Sequence, residues 1–169
     1  MKLCRFRGSI MEFIQVDSSN TELIDQVYTI LAAAGAYMVE VFDLHHWETP
    51  YGKDRITQDT ETKQVYLAKS GDTFVATFTL SDKTSRAFAD KPYADAMYLS
   101  KFSVAPGVMK GGIGSGCIQY LEQLCKAQGK TKVRLDVYEK SEHAIKFYYK
   151  MGYEKVGTAP LVLCMEKGL

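Results

Sequence analysis

The chain has 169 residues, 46% of them hydrophobic, which is enough to bury the core of one globular domain. The formal net charge of +1 and the pI near 7.6 disfavour a general nucleic-acid-binding protein, which needs a strongly basic surface. No apolar run approaches the roughly 20 residues of a membrane-spanning helix, so we expect no membrane partner. The sequence therefore predicts a single domain over residues 1–169.

The first ten residues, MKLCRFRGSI, are basic but lack the apolar segment of a signal peptide. Because MEFIQVDSS reads naturally as the start of a first strand over Phe13–Val16, residues 1–10 are either part of the domain or an N-terminal extension. Three of the four cysteines, Cys117, Cys125 and Cys164, lie in apolar patterns, and none forms a Cys-x-x-Cys pair. Buried free thiols behave as small hydrophobes, so we expect a reduced, cytoplasmic protein without a disulfide framework or metal site.

The first half of the chain predicts one long helix and a hairpin. Ser19-x-x-Glu22 fits a capping box, which opens a helix that continues through Phe42 with a break expected at Gly35. The polar, aromatic stretch Asp43–Thr62 reads as irregular. Two runs rich in β-branched and aromatic residues then flank a Gly-Asp turn and predict a β-hairpin, Val65–Ala68 and Phe74–Leu80.

The second half alternates strands and helices. A polar loop over Ser81–Asp95 precedes a strand over Met97–Val104 and then an amphipathic helix that ends before Gly129. A strand with alternating Val133, Leu135 and Val137 follows, then a helix that Ser141 can cap and Gly152 closes. Two last strands flank Pro160. This order predicts an α/β (α+β) fold with a mixed sheet flanked by helices.

The stretch VAPGVMKGGIGSG, residues 104–116, places five glycines between a strand and a helix. Such a helix start presents unpaired amide groups and the positive end of the helix dipole, which suits a pyrophosphate, and Lys110 adds a cation. A Walker A loop is excluded because Ile113 and Gly114 stand in the Lys and Ser/Thr places. A dinucleotide-binding motif is excluded because Cys117 stands where its third glycine should be.

Two motifs in this order resemble the GNAT acetyltransferase superfamily. The first is a strand followed by Val-x-Pro and the glycine loop, read here as Val104-Ala105-Pro106 and then Met109-Lys110-Gly111-Gly112-Ile113-Gly114-Ser115, with Met109 in place of the usual Gln or Arg. The second is Ser141-x-x-Ala144-x-x-x-Tyr148-x-x-x-Gly152-Tyr153, with Ser141 in place of the common Asn. The resemblance implies the GNAT fold, a mixed and mostly antiparallel sheet of about six to seven strands flanked by about four helices.

The resemblance also implies the chemistry of the site. Acetyl-CoA would be the cosubstrate, without a metal, and an acetyl group would pass to a primary amine by direct attack in a ternary complex. The Val104 N–H would donate to the thioester carbonyl, and Tyr148 would act as general acid toward the departing thiolate. Residues implied in coenzyme A binding are Phe102, Ser103, Val104, Met109, Lys110, Gly111, Gly112, Ile113, Gly114, Ser115, Ser141 and Tyr148.

The general base stays open, because the strand Met97–Val104 holds no carboxylate or histidine. Candidates in the first irregular segment are Glu40, Asp43, His45, His46 and Glu48. Trp47 and Tyr51 are candidates to wall an amine pocket, either by cation–π contact or by simple packing. Asp136 either organises the site or pairs with Arg134 or a lysine, and a structural role is favoured. Lys146 and Lys150 can reach a 3′-phosphate, although solvated surface charges are the preferred interpretation.

Two functions from different classes fit these patterns. The first is an N-acetyltransferase for a small-molecule amine or a protein amine, and a homodimer is common among such relatives. The alternative is a catalytically silent acyl-CoA-binding regulatory module, which the substitutions at Met109 and Ser141 and the missing base keep open. No nucleic-acid partner is expected from either.

Overall fold

The computed structural model describes residues 2–6, 9–49, 51–83, 85–91, 94–109 and 111–169, with backbone only for residues 2–6, Ser9 and Arg86. Within these residues the chain forms eight strands and four α-helices. In chain order they are β1 (Lys2–Phe6), β2 (Ser9–Gln15), α1 (Thr21–Phe42), α2 (Lys53–Thr62), β3 (Gln64–Ser70), β4 (Thr73–Ser81), β5 (Ala96–Val104), α3 (Ile113–Ala127), β6 (Lys132–Tyr138), α4 (Glu142–Lys150), β7 (Glu154–Ala159) and β8 (Val162–Gly168).

The predicted fold class is confirmed. The strand order is β1-β2-β3-β4-β5-β6-β8-β7, with β5 and β6 parallel and the pairs β1/β2, β2/β3, β6/β8 and β7/β8 antiparallel. Seven of the strands are those that the sequence predicts. The eighth, β1, arises from the first ten residues, which pair with β2 from Lys2 opposite Phe13 to Phe6 opposite Ser9. An extended partner strand carries no periodicity of its own when it is this short, which is why the sequence left this segment open.

The chain divides into two compact units, Met1–Thr79 with Lys101–Cys117 and Leu80–Ser100 with Ile118–Leu169. In the first unit, one face of α1 packs on β3 and on α2. The buried residues of this core are Val16, Ile24, Val27, Ile30, Leu31, Ile56, Val65 and Leu67. The apolar positions of α1 recur at three- and four-residue spacing, so burying one stripe of the helix excludes water from all of them.

Helix α1 differs from its prediction at both its start and its middle. The cap is Asn20, whose side chain accepts a hydrogen bond from the Leu23 amide at 3.0 Å, while Ser19 bonds to Asp17 instead. The capping box at Ser19 is therefore wrong by one residue. The helix also runs without a break through Gly35. A Cβ built on Gly35 would lie 2.3 Å from the Trp47 carbonyl oxygen, so this glycine permits close approach of the segment after α1.

Helix α2 lies inside Asp43–Thr62, which the sequence analysis described as irregular. Its ten residues contain one large apolar side chain, Ile56, which is buried in the core of the first unit. A single apolar residue has no period, so the helix gives no amphipathic signal. Its other buried residue is the carboxylate Asp59.

The second unit has the predicted alternation on β6. Val133, Leu135 and Val137 are buried, and Arg134 on the opposite face is buried too. Its guanidinium Nε donates to Glu166 at 2.6 Å and its charge lies 5.5 Å from the Phe88 ring centroid, so the buried cation is satisfied. The last two strands flank Pro160, as predicted, with Leu161 in the turn at φ 68°.

Cys117, Cys125 and Cys164 are free and buried, as the apolar patterns predict. Burial raises the pKa of the Cys117 and Cys125 thiols to about 12, so neither is a nucleophile at neutral pH. None of the helices in the described ranges has the length and apolar character that crossing a bilayer requires.

Candidate functional site

The end of β5 and the turn after it form the first group of predicted site residues. Ser103 is buried, whereas Phe102 and Val104 are half-buried. The Ala105 amide donates to the Val75 carbonyl of β4 at 2.8 Å, which fixes where the strand leaves the sheet. A 3-10 turn over Pro106–Val108 then redirects the chain toward α3. The structure thus provides the strand, turn and helix that the first motif predicts.

The glycine loop leads directly into the start of α3. Gly112 has φ 82°, a left-handed conformation that side-chain-bearing residues rarely adopt, and α3 begins at the next residue. The first intrahelical hydrogen bond runs from the Gly116 amide to the Gly112 carbonyl at 3.0 Å. The amides of Ile113, Gly114 and Ser115 precede that bond, so they are the donors that a helix start offers to an anion. Met109 is half-buried beside them, and Lys110 lies outside the described residues.

A buried ion pair adjoins this strand. Lys101 of β5 donates to Asp59 of α2, and both side chains are almost inaccessible, 9% and 5% exposed. The other Asp59 oxygen receives the Lys63 ammonium at 2.8 Å. The ring of Tyr51, a candidate wall of an amine pocket, lies against the chain's own Lys101, whose Nζ is 4.2 Å from the ring centroid.

Burial and ion pairing act in opposite directions on these two groups. Burial lowers the pKa of Lys101, and its bond to Asp59 opposes that shift only in part. For Asp59, burial favours the neutral acid, but the bonds from Lys101 and Lys63 outweigh it and hold the pKa below its usual value. The sequence alone does not predict this cluster, because residues 59 and 101 are far apart in the chain and form no motif.

Helix α4 in the second unit carries Ser141 and Tyr148. Ser141 occupies the predicted cap position and is buried, but its side chain makes no capping bond there. Tyr148 is half-buried, and its ring packs edge-on against Tyr153 at 5.7 Å between centroids. Burial, and then the charge of Asp136, raise the pKa of Tyr148 above the ordinary tyrosine value. The phenol therefore stays protonated throughout the physiological range.

Asp136 belongs to a polar cluster on β6 of the second unit. It accepts hydrogen bonds from the Tyr98 hydroxyl and, at 3.4 Å, from the Ser85 hydroxyl. Arg134, considered above as its partner, pairs with Glu166. Burial and the Asp136 charge also raise the pKa of Tyr98. Asp136 thus holds β5 and the segment before it through hydrogen bonds, and its charge also raises the pKa of Tyr148.

The candidate bases after α1 lie at the surface. Both ring nitrogens of His45 meet carboxylates, Nε2 with Asp43 at 2.9 Å and Nδ1 with Glu48 at 3.0 Å. The bonds to Asp43 and then Glu48 raise the pKa of His45, so the ring holds its proton more tightly than a free histidine. At neutral pH a larger fraction of His45 is therefore already protonated than for a free histidine, which leaves less of the neutral ring to act as a base.

Two further observations concern surface charge and side chains of metal-ligating type. Lys146 is exposed and pairs with Glu142 one turn earlier at 3.2 Å, and Lys150 is exposed as well, as expected of solvated charges. Among the residues that the structure describes, no three His, Cys, Asp or Glu side chains are grouped so that they could hold a metal ion.

Comparison with known proteins agrees with the two motifs. The family model for the acetyltransferase (GNAT) family matches residues 21–153, most of the chain. The chain belongs to this family. The matched segment includes the glycine loop, Ser141 and Tyr148, so the GNAT resemblance noted from those residues is correct.

Relatives with solved structures share the GNAT fold. An acetyltransferase of the GNAT family from Listeria monocytogenes is 16% identical, with a TM-score of 0.81 over 99% of this chain and 100% of that one. The PaiA N-acetyltransferase from Thermoplasma acidophilum, solved in complex with coenzyme A, is 18% identical, with a TM-score of 0.73 over 94% and 99% of the two chains.

A curated relative in Bacillus subtilis (strain 168) is an uncharacterized N-acetyltransferase, YesJ. It is 27% identical over 107 residues, which are 61% of this chain and 59% of the relative. The match therefore spans less than two thirds of that protein, and the similarity does not by itself establish the activity of this chain.

Proposed function

We propose that this GNAT protein transfers an acetyl group from acetyl-CoA to a primary amine by direct attack in a ternary complex. The observation that carries the proposal is the left-handed Gly112 followed by the start of α3, whose first-turn amides, those of Ile113–Ser115, precede the first intrahelical hydrogen bond. A pyrophosphate fits such a helix start because its charge meets several N–H donors at the positive end of the helix dipole. In the family, coenzyme A carries such a group, and a relative binds it.

The backbone of β5 is assigned to the reactive end of the cosubstrate. Phe102 and Val104 would pair with the pantetheine arm as an added strand, with Ser103 between them. The Val104 N–H would donate to the thioester carbonyl as negative charge develops on its oxygen. Met109, Lys110, Gly111 and Ser141 are assigned to coenzyme A binding by family position.

Tyr148 is assigned as the general acid. The amine nitrogen forms a bond to the thioester carbon, the C–S bond breaks, and the thiolate takes a proton from the phenol, while the proton lost by the amine leaves to solvent or a base. Deprotonating an alkylamine with a pKa near 10.4 costs about 4–5 kcal/mol at neutral pH. Holding the amine and thioester in attack geometry contributes about 7–11 kcal/mol, so positioning outweighs that cost.

The charge of Asp136 affects this role of Tyr148 in two opposite ways. Its charge helps to raise the pKa of the phenol, which keeps the acid protonated before attack. The raised pKa also makes proton transfer to a thiolate of pKa about 8.5 less favourable than for a free tyrosine. The phenol is therefore suited to donate a hydrogen bond early and to transfer its proton late, once the thiolate has formed.

Calorimetric titration with acetyl-CoA tests the donor half of the proposal. We expect micromolar binding by the wild-type protein, and for Gly112→Ala a loss of at least about tenfold, equivalent to about 1.4 kcal/mol, because alanine strains the left-handed loop. Gly107→Ala is the matched control, since a Cβ there meets nothing within 4 Å. Absence of binding by the wild-type protein contradicts the assignment of the loop.

The silent acyl-CoA-binding module predicts the same calorimetry but no turnover. The acceptor amine, a homodimer and the cytoplasmic location all stay predictions. The general base also stays a prediction, so a screen for acceptor amines is what separates an enzyme from a regulatory module.

A further inference from the structure

Lys101 has an unusual backbone for its position. Of the non-glycine residues with positive φ in the described chain, Asp43 caps α1 and Leu161 lies in a turn, whereas Lys101 lies within a strand at φ 50°. The left-handed region is unfavourable for a residue with a Cβ, and such strain persists only where the surroundings impose it. This local departure from regular strand geometry at Lys101, called the bend below, therefore needs an interaction that holds it.

The ion pair with Asp59 supplies that interaction. The side chain of Lys101 is buried against α2, where its ammonium meets Asp59 and the face of Tyr51. A regular strand conformation at Lys101 would send the side chain in another direction and leave the Asp59 carboxylate buried without this partner. Asp59 would keep Lys63 as a partner. Because a buried charge that loses part of its pairing is unfavourable, the pair and the bend stabilise each other.

The bend immediately precedes the backbone assigned to the cosubstrate. Phe102 follows Lys101 directly, and Val104 is three residues on. We propose that the Asp59–Lys101 ion pair is a positioning element that fixes the bend of β5 on α2, and thereby aims the Val104 amide at the donor thioester. This inference rests on the proposed acetyl transfer, but its structural part can be measured without activity.

The chemical consequence lies in alignment rather than in coenzyme affinity. The pyrophosphate contacts are assigned to the loop and the start of α3, which follow the bend. Loss of the pair should therefore leave acetyl-CoA bound but misaligned, and a displacement of about 1 Å can cost about 10²-fold in rate. The expected signature is a fall in kcat with little change in the dissociation constant of acetyl-CoA.

Two variants separate charge from size. Lys101→Met keeps the length of the side chain and removes its charge, and Lys101→Arg keeps the charge. We expect Lys101→Met to lower kcat at least about tenfold while the acetyl-CoA dissociation constant stays within about threefold, and Lys101→Arg to restore most of kcat. Lys53→Met is the matched control, because it breaks the exposed ion pair of α2 with Asp25, formed at 2.7 Å.

Hydrogen exchange on the ligand-free protein tests the bend itself. In Lys101→Met the amides of Phe102–Val104 should exchange at least about tenfold faster than in the wild type, while Lys53→Met leaves them unchanged. If Lys101→Met does not fold, Asp59→Asn/Lys101→Met removes both charges and is expected to show the same faster exchange and lower kcat. Wild-type exchange or wild-type kcat in a folded variant that lacks the pair overturns the proposal.

Failure of the proposed function gives a different result. A wild-type protein that transfers no acetyl group refutes acetyl transfer, and with it the catalytic consequence of the pair. Exchange at Phe102–Val104 in the same protein still decides whether Asp59 and Lys101 hold the bend.

Discussion

At the scale of single residues, Tyr148 carries the most specific chemical assignment. Its pKa is raised by burial and by Asp136, so the acid form persists at every pH at which the enzyme would work. A general acid that donates in the transition state typically contributes about 10²–10⁴-fold to the rate. The assignment therefore has consequences for both the size and the pH dependence of kcat.

We expect Tyr148→Phe to lower kcat by about 10²-fold or more, because the ring packing against Tyr153 is kept and only the proton donor is lost. The dissociation constant of acetyl-CoA, measured by calorimetry, should stay within about threefold. In the wild-type protein kcat should not fall between pH 8 and about 10, since the raised pKa keeps the phenol protonated. Full kcat in Tyr148→Phe refutes the assignment.

His45 gives a pH prediction that is independent of activity. Its pKa is raised by Asp43 and Glu48, so the folded state binds the proton more tightly than the unfolded chain. The resulting stabilisation is fully present below the unfolded pKa of about 6.5 and is lost as the pH rises through the folded value. NMR titration of the wild-type protein should give a His45 pKa above 6.5. In the variants Asp43→Asn and Glu48→Gln the His45 pKa should be lower than in the wild type. A midpoint at or below the ordinary value contradicts these contacts.

At the scale of elements, the glycine in the middle of α1 is required by packing. The Cβ of an alanine at position 35 would meet the backbone oxygen of Trp47 at 2.3 Å, and a backbone atom cannot move aside as a flexible side chain does. Such overpacking typically costs about 1–3 kcal/mol, which exceeds the gain in helix propensity of up to about 1 kcal/mol.

Gly35→Ala should therefore lower the melting temperature, by about 2–4 °C for each kcal/mol lost. Gly107→Ala, with open space around its Cβ, should be neutral or slightly stabilising because alanine restricts the unfolded chain. Thermal unfolding of both variants by circular dichroism compares them directly. An equal or higher melting temperature for Gly35→Ala means that the segment after α1 is not packed on it as described.

The elements also show what the sequence can and cannot predict. Strands and helices with a clear apolar period, such as α1, β6 and α3, were predicted within a few residues. Helix α2 was missed because Ile56 is its one large buried apolar side chain and because its other buried residue is a carboxylate. The N-cap of α1 is Asn20 rather than the predicted Ser19, because serine and asparagine both cap helices well and the local turn decides between them.

The site was predictable only where a motif carries it. The glycine loop and Tyr148 are predicted as site residues because they stand at the fixed spacing of the two GNAT motifs. Asp59 and Lys101 were not found, since an ion pair across 42 positions leaves no pattern in one sequence. The cation–π contact between Lys101 and Tyr51 likewise has no sequence pattern that predicts it, although Tyr51 itself was a candidate residue.

At the scale of the whole molecule, the proposed reaction has two halves, the binding of the acetyl-CoA donor and the transfer of its acetyl group to an acceptor amine. If acetyl-CoA binds only the folded protein, it raises the apparent free energy of unfolding. The increase is about 2.7 kcal/mol when the concentration of free acetyl-CoA is 100 times its dissociation constant. That effect reports on the donor, whereas turnover requires the acceptor as well.

The most direct test is a screen for acetyl transfer across small amines, amino-terminal peptides and lysine peptides, with Tyr148→Phe in parallel. Release of free coenzyme A thiol and the mass of the acetylated product are measured together. The proposed function predicts at least one acceptor for which thiol and acetylated amine form in equal amounts, with turnover lost in Tyr148→Phe. Tight acetyl-CoA binding with no product from any class of amine would contradict it and favour the silent regulatory module.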